Sequence, residues 1–293
     1  MIKKNLQYLL FSLLVIGSVS NSEAQLFKKK AKVKAPTEAK PKIDKDAPQP
    51  YAKVITKEAK TDKGLFDIHQ IKDKFFYEIP DSLLGREMLM VSRISKTASG
   101  IGFGGGKINT QVMRWEKKEN KVYLRVVSHE VVAADSLPVK EAVINSNFEP
   151  VLYSFAVKSN RKDSVATSTV IDVTPLFDKD VSALGMPDYY KKRYKATRLD
   201  SERSFIEGIK SYPMNIEARH VKTYFSGNPP SNSSLGSISV EINNSMILLP
   251  AEPMKRRYFD KRVGWFERDQ VDYGLDAQES KTVKFLDRWR LEV

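Results

Sequence analysis

The sequence predicts a strand-rich α+β fold with mainly antiparallel sheets and a short helical insertion around residues 188–212. Segments rich in β-branched and aromatic residues recur along the chain, and such segments favour strands. Most connections between them are short and polar, which favours antiparallel pairing because parallel strands need longer crossovers. The region around 188–212 lacks a run of β-branched residues, which indicates helix there.

The first residues have the order of a secretory signal peptide. Lys3 and Lys4 precede an uncharged, mostly apolar run, and small residues follow it. This order predicts a signal peptide over 1–24 with cleavage between Ala24 and Gln25. A retained N-terminal anchor is the alternative. No later segment approaches the length of a membrane span, so we expect no transmembrane segment after cleavage and an exported protein, periplasmic or extracellular.

Three further segments are predicted after the signal peptide. Residues 25–50 form a disordered linker rich in Lys, Ala and Pro, because so few large apolar side chains cannot offset the entropy of ordering. Residues 51–95 form a short N-terminal module, and residues 96–293 form the strand-rich main module.

The net charge of +13 does not by itself indicate a nucleic-acid partner. Residues 26–63 contain twelve lysines against five acids, so much of the excess lies in one solvated basic stretch. That stretch can lean on an anionic surface or envelope polymer. We expect no nucleic-acid partner, because the chain is predicted to be exported and lacks a basic, aromatic-rich motif of a nucleic-acid-binding fold. The chain has no cysteine, which excludes disulfides, thiolate metal ligands and a cysteine nucleophile.

The first half of the chain is predicted to form short strands in sequence. LFDIHQI and FFYEIP are joined by the polar turn KDK, and one helical turn at DSLLG precedes the central strand REMLMVSRI. Two antiparallel pairs follow. QVMRWEKK pairs with KVYLRVVSHEVVAAD, and FEPVLYSFAVKS pairs with DSVATSTVIDVTPLF.

The second half begins with the helical insertion. Asp200 and Ser201 are candidate N-caps for the helix ERSFIEGIKS, and Pro213 ends it. Strands are then predicted at MNIEARHVKTYFS, at SISVEINNSMILLPAEPM as a long strand or bent hairpin, and at SKTVKFLDRWRLEV. The polar connection RRYFDKRVGWFERD is predicted to be a rim of packed aromatics with flanking charges, with a sugar or protein contact as the alternative.

His129 and Glu130 begin like the zinc-protease signature H-E-x-x-H, but Ala133 stands where the second histidine belongs. The signature needs a helix, on which positions four apart share a face. The surrounding residues are dense in valine and alternate in polarity, which predicts a strand, and on a strand these positions stand about 13 Å apart. One zinc ion, bonded at about 2.1 Å, cannot bridge them.

No metal, cofactor-binding or catalytic residue is predicted in this chain. The three histidines, His69, His129 and His220, each fall in a different predicted strand, so a shared zinc site would need several coincidences of fold. Ser128 precedes His129 directly, but neighbouring strand residues point to opposite faces and cannot form a dyad. No carboxylate pair stands out, and an enzyme with an unrecognised carboxylate-based site is a further alternative.

A glycine-rich loop is the predicted moving part of the chain. Gly100, Gly102, Gly104, Gly105 and Gly106 form it, and three of them satisfy G-x-G-x-x-G. The next residues predict a strand instead of the helix that a dinucleotide site requires. We therefore predict a flexible flap that can touch a neighbouring domain or substrate.

Several phrases together resemble a known family. They are FDIHQIKDKFFYEIPDSLLGREMLMVSRI, QVMRWEKKENKVYLR, RLDSERSFIEGIKSYPMNIEARHVKTY and ILLPAEPMKRRYFDKRVGWFE. They look like the N-terminal half of large bacterial secreted zinc-dependent metalloproteases, in which two uncharacterised modules precede a zincin catalytic domain. The resemblance covers residues 50–95 and 96–290. The family signature H-E-x-x-H-x-x-G-x-x-H lies after these modules, and no position here matches it.

The resemblance implies a non-catalytic N-terminal region, from truncation or a split gene, or a stand-alone descendant of the modules. Such a region would support, shield or position the protease domain, or engage substrate. Its partner would be the zincin catalytic domain, in cis or as a split partner, and zinc would be bound only by that domain. The alternative is a stand-alone exported binding module for envelope or extracellular polymer or protein.

Overall fold

The structure is a computed structural model that describes residues 47–163, 166–231, 233–275 and 279–289. The predicted signal peptide, its cleavage site between Ala24 and Gln25, and the predicted linker as far as residue 46 lie outside the described residues. In these four described ranges, no helix is both long enough and apolar enough to cross a membrane.

Strands dominate the described part of the chain. They are β1 (Lys60–Asp62), β2 (Asp67–Ile71), β3 (Lys74–Pro80), β4 (Glu87–Lys96), β5 (Gly106–Lys118), β6 (Lys121–Val127), β7 (Val131–Val132), β8 (Val151–Lys162), β9 (Thr167–Asp172), β10 (Ala196–Leu199), β11 (Phe205–Ser211), β12 (Asn215–Ser226), β13 (Ser237–Leu248), β14 (Glu267–Asp272) and β15 (Lys281–Leu286). The helices are short. They are α1 (Tyr51–Val54), α2 (Val139–Ser146), α3 (Thr174–Asp178) and α4 (Asp188–Arg193), with 3-10 turns at Asp81–Leu83 and Ser233–Leu235.

Within the described residues, twelve strands form one antiparallel sheet in the order β1-β2-β3-β9-β8-β6-β5-β4-β13-β12-β10, with β11 also paired to β12. The sheet curls so that its two ends meet. The backbone N–H of Leu65 donates to the carbonyl of Tyr212 at 2.8 Å, and the N–H of Ser211 donates to Asp62 at 3.0 Å. A separate sheet of three strands has the order β15-β14-β7, in which β7 is parallel to β14.

The alternation of side chains along the strands builds the core inside the curl. In β4, every second residue from Met88 to Ile94 is buried, as the two-residue period of a strand requires. Trp115 of β5 is fully buried, and its ring meets the edges of Phe66 and Tyr77 at centroid distances of 6.2 Å. Aromatic rings from three separate segments therefore fill one interior.

A buried carboxylate fastens the N-terminal strands to β8 and β9. Glu78 lies 3.0 Å from His69 Nε2 and accepts hydrogen bonds from Tyr51 at 2.6 Å, Ser168 at 2.6 Å and Arg161 at 3.2 Å. Burial alone would raise the pKa of Glu78, but these hydrogen bonds outweigh it and lower the pKa to about 2. The carboxylate is thus kept charged and fully bonded.

A second buried polar line crosses β4, β13 and β12. The hydroxyl of Ser92 donates to Asn244 Oδ1 at 2.6 Å, and Asn244 Nδ2 lies 2.6 Å from His220 Nε2. Because the amide donates, His220 accepts and is a neutral imidazole. Burial, with a smaller effect from Lys222 two residues along the strand, lowers the pKa of His220 to about 3.

The structure confirms the strand-rich, antiparallel part of the predicted fold and is best described as mostly β. The predicted helical insertion around 188–212 is helix only over α4, and the predicted helix ERSFIEGIKS is instead β11. Asp200 does accept hydrogen bonds from the N–H groups of Glu202 and Arg203, but it closes a turn and not a helix. Pairing with β12 along the whole segment overrides the local helical signal, and Gly208 weakens that signal further.

Strands from the two predicted modules alternate in the large sheet. β3 pairs with β9, and β4 lies between β5 and β13. Residues 51–95 and residues 96–293 therefore share one set of hydrogen-bonded strands.

We predict that His220 makes the fold sensitive to acid. In the unfolded chain this histidine has its ordinary pKa of 6.5 and is protonated below that pH. In the folded chain its pKa is about 3, so it stays neutral until the pH falls that far. The contribution of neutral His220 to the free energy of unfolding is therefore complete above pH 6.5 and decreases as the pH falls below 6.5. At two units below 6.5 the loss is about 2–3 kcal/mol of unfolding free energy.

Urea unfolding between pH 6.5 and 4.5 measures this effect. His220→Gln should lose less free energy over that interval than the wild type, whatever its stability at neutral pH. The surface variant Phe103→Leu, which changes no titratable group, is the control and should follow the wild type. Parallel pH profiles for His220→Gln and the wild type would contradict the assignment.

Candidate functional site

His129 and Glu130 lie between two strands. β6 ends at Val127 and β7 starts at Val131, so the predicted single strand through Ala133 was wrong. The reason is long-range pairing: after Val127 the chain leaves β5 and joins β14 in parallel. The segment is not helical either, so residues 129 and 133 do not share the helix face on which an H-E-x-x-H site depends.

Hydrogen bonds to both sheets hold His129 in place. Its Nε2 lies 2.9 Å from a carboxylate oxygen of Glu87 at the start of β4, and the side chain is about half exposed. Its backbone carbonyl accepts from the side chain of Gln270 on β14 at 2.6 Å. His129 therefore bridges the large sheet and the three-stranded sheet.

The three histidines are not brought together. His69 contacts Thr61 and Glu78, His220 contacts Asn244, and His129 contacts Glu87. Across the described residues, no group of three or more His, Asp or Glu side chains is placed to hold a metal ion.

Two clefts open on either side of the Glu87–His129 pair. The inter-sheet cleft has a volume of about 1040 Å³ and lies between the start of β4, the segment 249–254, and strands β7 and β14. Its wall is mainly apolar, with Leu249, Pro250 and Met254 on one side. Large, mainly apolar clefts with a few polar groups are typical binding sites.

The charged cleft has a volume of about 510 Å³ and lies over β5 and β6. Its floor carries two ion pairs, Arg114 with Glu149 and Arg125 with Glu116. The hydrogen bond from Arg125 holds the pKa of the Glu116 carboxyl below its ordinary value. Phe148 is exposed beside this floor, and Arg125 lies over its ring at 5.1 Å.

The residues around His129 offer hydrogen-bonding groups and no activated nucleophile. The imidazole and the Glu87 carboxylate form a pair that solvent reaches. The hydroxyl of Ser128 accepts a hydrogen bond from the Glu130 N–H at 3.3 Å and does not pair with the imidazole. A nucleophile activated by a base needs such a pairing, so these residues do not form a nucleophilic dyad.

Aromatic residues near the C-terminus form an exposed surface, which we call the C-terminal aromatic surface. It comprises Tyr258, Val263, Trp265, Phe266 and Trp289. Trp265 is 50% exposed, Phe266 76% and Trp289 78%. The prediction of a packed rim was therefore wrong. The three-stranded sheet is too small to cover both sides of the connection that precedes it, so these rings remain open to solvent.

A shallow apolar hollow lies within this surface. It has a volume of about 340 Å³ and is lined by Met254, Val263, Trp265, Leu286, Arg288 and Trp289. Met254 also lines the inter-sheet cleft, so the hollow and the cleft are neighbours that share this side chain. The adjacent aromatic pair Trp265–Phe266 was a usable signal in the sequence, because neighbouring extended residues point to opposite sides and cannot both face one small core.

The glycine-rich loop joins β4 to β5. Gly100, Gly102 and Gly105 have positive φ values of 85°, 128° and 90°, which favour glycine. A Cβ on Gly104 would lie 2.4 Å from the carbonyl oxygen of Ser95. Gly106 opens β5. The flap itself stays a prediction, and the loop geometry is that of a turn which requires these glycines.

These features define a mostly β chain with open clefts and an exposed aromatic surface at the junction of its two sheets. Residues 105–293 match the family model described as a domain of unknown function, DUF5117. Residues 48–97 match a second model, described as a domain of unknown function, DUF5118. The first match spans more than half of the chain, and the chain belongs to the DUF5117 family. No curated protein and no solved structure matches it.

We predict that the chain does not bind zinc through His129. Its imidazole is bonded to Glu87, and Ala133 cannot supply the missing ligand. Elemental analysis after dialysis against zinc should find far less than one ion per chain. His129→Ala should give the same value as the wild type. A stoichiometric zinc ion that is lost in His129→Ala would overturn this prediction.

Proposed function

We propose that this chain is the non-catalytic N-terminal region of a secreted zinc-metalloprotease-like protein, and that it docks the protease domain through the C-terminal aromatic surface. The observation that carries the proposal is the joint exposure of Trp265, Phe266 and Trp289. Tryptophan is the residue most enriched among the side chains that dominate protein interfaces, and clustered exposed apolar groups mark such interfaces.

Covering the aromatic surface would supply part of the free energy that docking needs. Each large apolar side chain contributes about 1.5–3 kcal/mol when it passes from full exposure to full burial. The two tryptophans, Phe266 and Val263 are 50–78% exposed, so covering them would contribute about 4–8 kcal/mol in all. Association costs a comparable amount, so a micromolar complex, at roughly 8 kcal/mol, requires further contacts from the partner. Filling the hollow between Trp265 and Trp289 would supply the central, desolvated contact of such an interface.

Positive charge beside the C-terminal aromatic surface indicates what kind of partner surface would fit it. Residues 255–262 contain five Lys or Arg and one acid, Asp260, which already pairs with Arg262 at 2.6 Å. A docked domain with an acidic rim would complement these cations and associate faster at low salt. We therefore propose that the protease domain presents acidic residues around an apolar centre.

Docking at this surface would also shield the neighbouring cleft. Since Met254 lines both the hollow and the inter-sheet cleft, a domain seated on the hollow covers one edge of the cleft beside His129. In this proposal the protease domain holds the zinc ion, and this chain contributes position and substrate contact instead of catalysis.

The second candidate function is a stand-alone exported binding module for an envelope or extracellular polymer or protein. The open charged cleft, with Phe148 beside paired Arg and Glu side chains, favours it because polymers are bound by such mixed surfaces. The reading frame after codon 293 separates the two candidates. A frame that encodes H-E-x-x-H-x-x-G-x-x-H supports the protease reading, and unrelated sequence contradicts it.

The docking proposal predicts a localised loss of affinity. If that frame encodes the protease domain, calorimetric titration of the purified domain into this chain should give a measurable Kd. Trp265→Ala/Phe266→Ala should weaken binding at least tenfold, which corresponds to about 1.4 kcal/mol. Both side chains are exposed, so the variant should unfold in urea near the wild-type midpoint.

Tyr212→Ala is the matched control. Tyr212 is an exposed aromatic residue beside the join between β11 and β2, and it does not line the hollow. It should bind the protease domain like the wild type. Equal affinity for Trp265→Ala/Phe266→Ala and Tyr212→Ala, or no binding by the wild type, would contradict docking at this surface.

A further inference from the structure

A second aromatic site lies between the glycine-rich loop and α4. A pocket of about 340 Å³ separates them, with Ile101, Phe103 and Ile108 on one side and Pro187, Tyr189 and Tyr190 on the other. It belongs to neither cleft beside His129, and the proposed docking function does not use it. Pockets of this size suit one small ring or a short stretch of polymer.

The loop presents Phe103 as a projecting ring. Phe103 is 96% exposed. On either side of it, the Gly105 N–H donates to the carbonyl of Ile94 at 2.7 Å, and the Tyr194 hydroxyl donates to the carbonyl of Gly100 at 3.4 Å. These bonds and the positive-φ glycines direct an apolar side chain into solvent, where a ligand can cover it.

The opposite wall is a fixed group of tyrosines. Tyr190 stacks on Tyr194 with an interplanar angle of 3°, and Tyr189 meets Tyr190 edge-on at 5.4 Å. Arg193 donates to the Tyr189 hydroxyl at 3.2 Å and lies over the Tyr194 ring at 5.6 Å. Tyr189 is 64% exposed, so its ring offers an oriented flat face to a ligand.

Cations outnumber acids on the tyrosine side of the pocket. Residues 188–198 contain five Lys or Arg and one acid, Asp188, at the start of α4. Lys191 is neutralised by Asp180 at 2.8 Å. Lys107 lines the pocket, and Lys192 and Lys195 lie on and just after α4. These three lysines are exposed, and within the described ranges none of them has an acidic partner. An aromatic pocket flanked by such cations fits a ligand with flat rings and repeated negative charges.

We propose that this pocket binds an acidic polysaccharide. A sugar ring packs its C–H face against Phe103 and Tyr189, and the carboxylate or sulfate groups of neighbouring sugars pair with Lys107, Lys192 and Lys195. The choice of a polysaccharide over a nucleic acid rests on the proposed secretion. The geometry of the pocket is independent of that proposal. A lipid surface is disfavoured because the loop projects a single large apolar side chain, Phe103, whereas membrane-bound surfaces bury a broad apolar face.

Binding of polygalacturonate to the full chain, without any protease domain, tests the proposal. Calorimetry should give a Kd that weakens as salt is added. Phe103→Ala/Tyr189→Ala and, separately, Lys107→Glu/Lys192→Glu should each weaken binding at least tenfold. Phe266→Ala, which removes an exposed aromatic ring of the docking surface, should bind within twofold of the wild type. Unchanged urea midpoints establish that these surface variants remain folded.

Three further probes separate sugar recognition from other sources of affinity. Poly-L-glutamate carries repeated carboxylates without sugar rings and should bind at least tenfold more weakly than polygalacturonate. Single-stranded oligo-dT and phosphatidylglycerol vesicles should also bind more weakly. The proposal is overturned if any of these probes matches polygalacturonate, if polygalacturonate does not bind, or if the aromatic variant binds like the wild type. Failure of protease docking would leave all these results unchanged.

Discussion

The large sheet can bury its inner face only if its two ends meet, and the rest of the fold depends on that closure. The contacts of Leu65 with Tyr212 and of Asp62 with Ser211 bring β2 against β11. Trp115, Phe66 and Tyr77 then occupy a common interior. Strands that are far apart in the sequence must come together to enclose it. Because the pairings are long-range, the N-terminal strands and the later ones depend on each other for this core.

Both proposed binding surfaces lie on elements outside the strands of the large sheet. The three-stranded sheet and its preceding connection carry the C-terminal aromatic surface, and the β4–β5 loop with α4 carries the second aromatic pocket. Both lie on short elements or loops held by a rigid sheet, as binding residues commonly do. Both have neighbouring cations, which is why the proposed partners, a protein domain and a polymer, are both expected to be acidic.

The long strands β4, β12 and β13 were predictable from the sequence because their residues alternate in polarity or form largely apolar runs. The prediction was wrong where strand pairing overrode the local composition. β11 forms a hairpin with β12 despite its helix-like composition, and the strand at His129 is interrupted because β7 pairs with β14 far along the chain. The absence of a helix at His129 was predictable from the valine content and the alternating polarity of the segment. The sequence interpretation missed the exposure of Trp265 and Phe266. Their adjacency indicated that one ring faces outward, whereas the exposure of both depends on the small size of the sheet that they adjoin.

Acrylamide quenching of tryptophan fluorescence tests the central claim, that the isolated chain displays an uncovered aromatic surface. Of the three tryptophans, Trp115 is buried whereas Trp265 and Trp289 are exposed. The account predicts strong quenching and a red-shifted emission for the wild type. In Trp265→Phe/Trp289→Phe, only the blue-shifted, protected emission of Trp115 should remain. A wild type whose emission is blue-shifted and resistant to acrylamide throughout would show that the surface is covered, and would contradict the account.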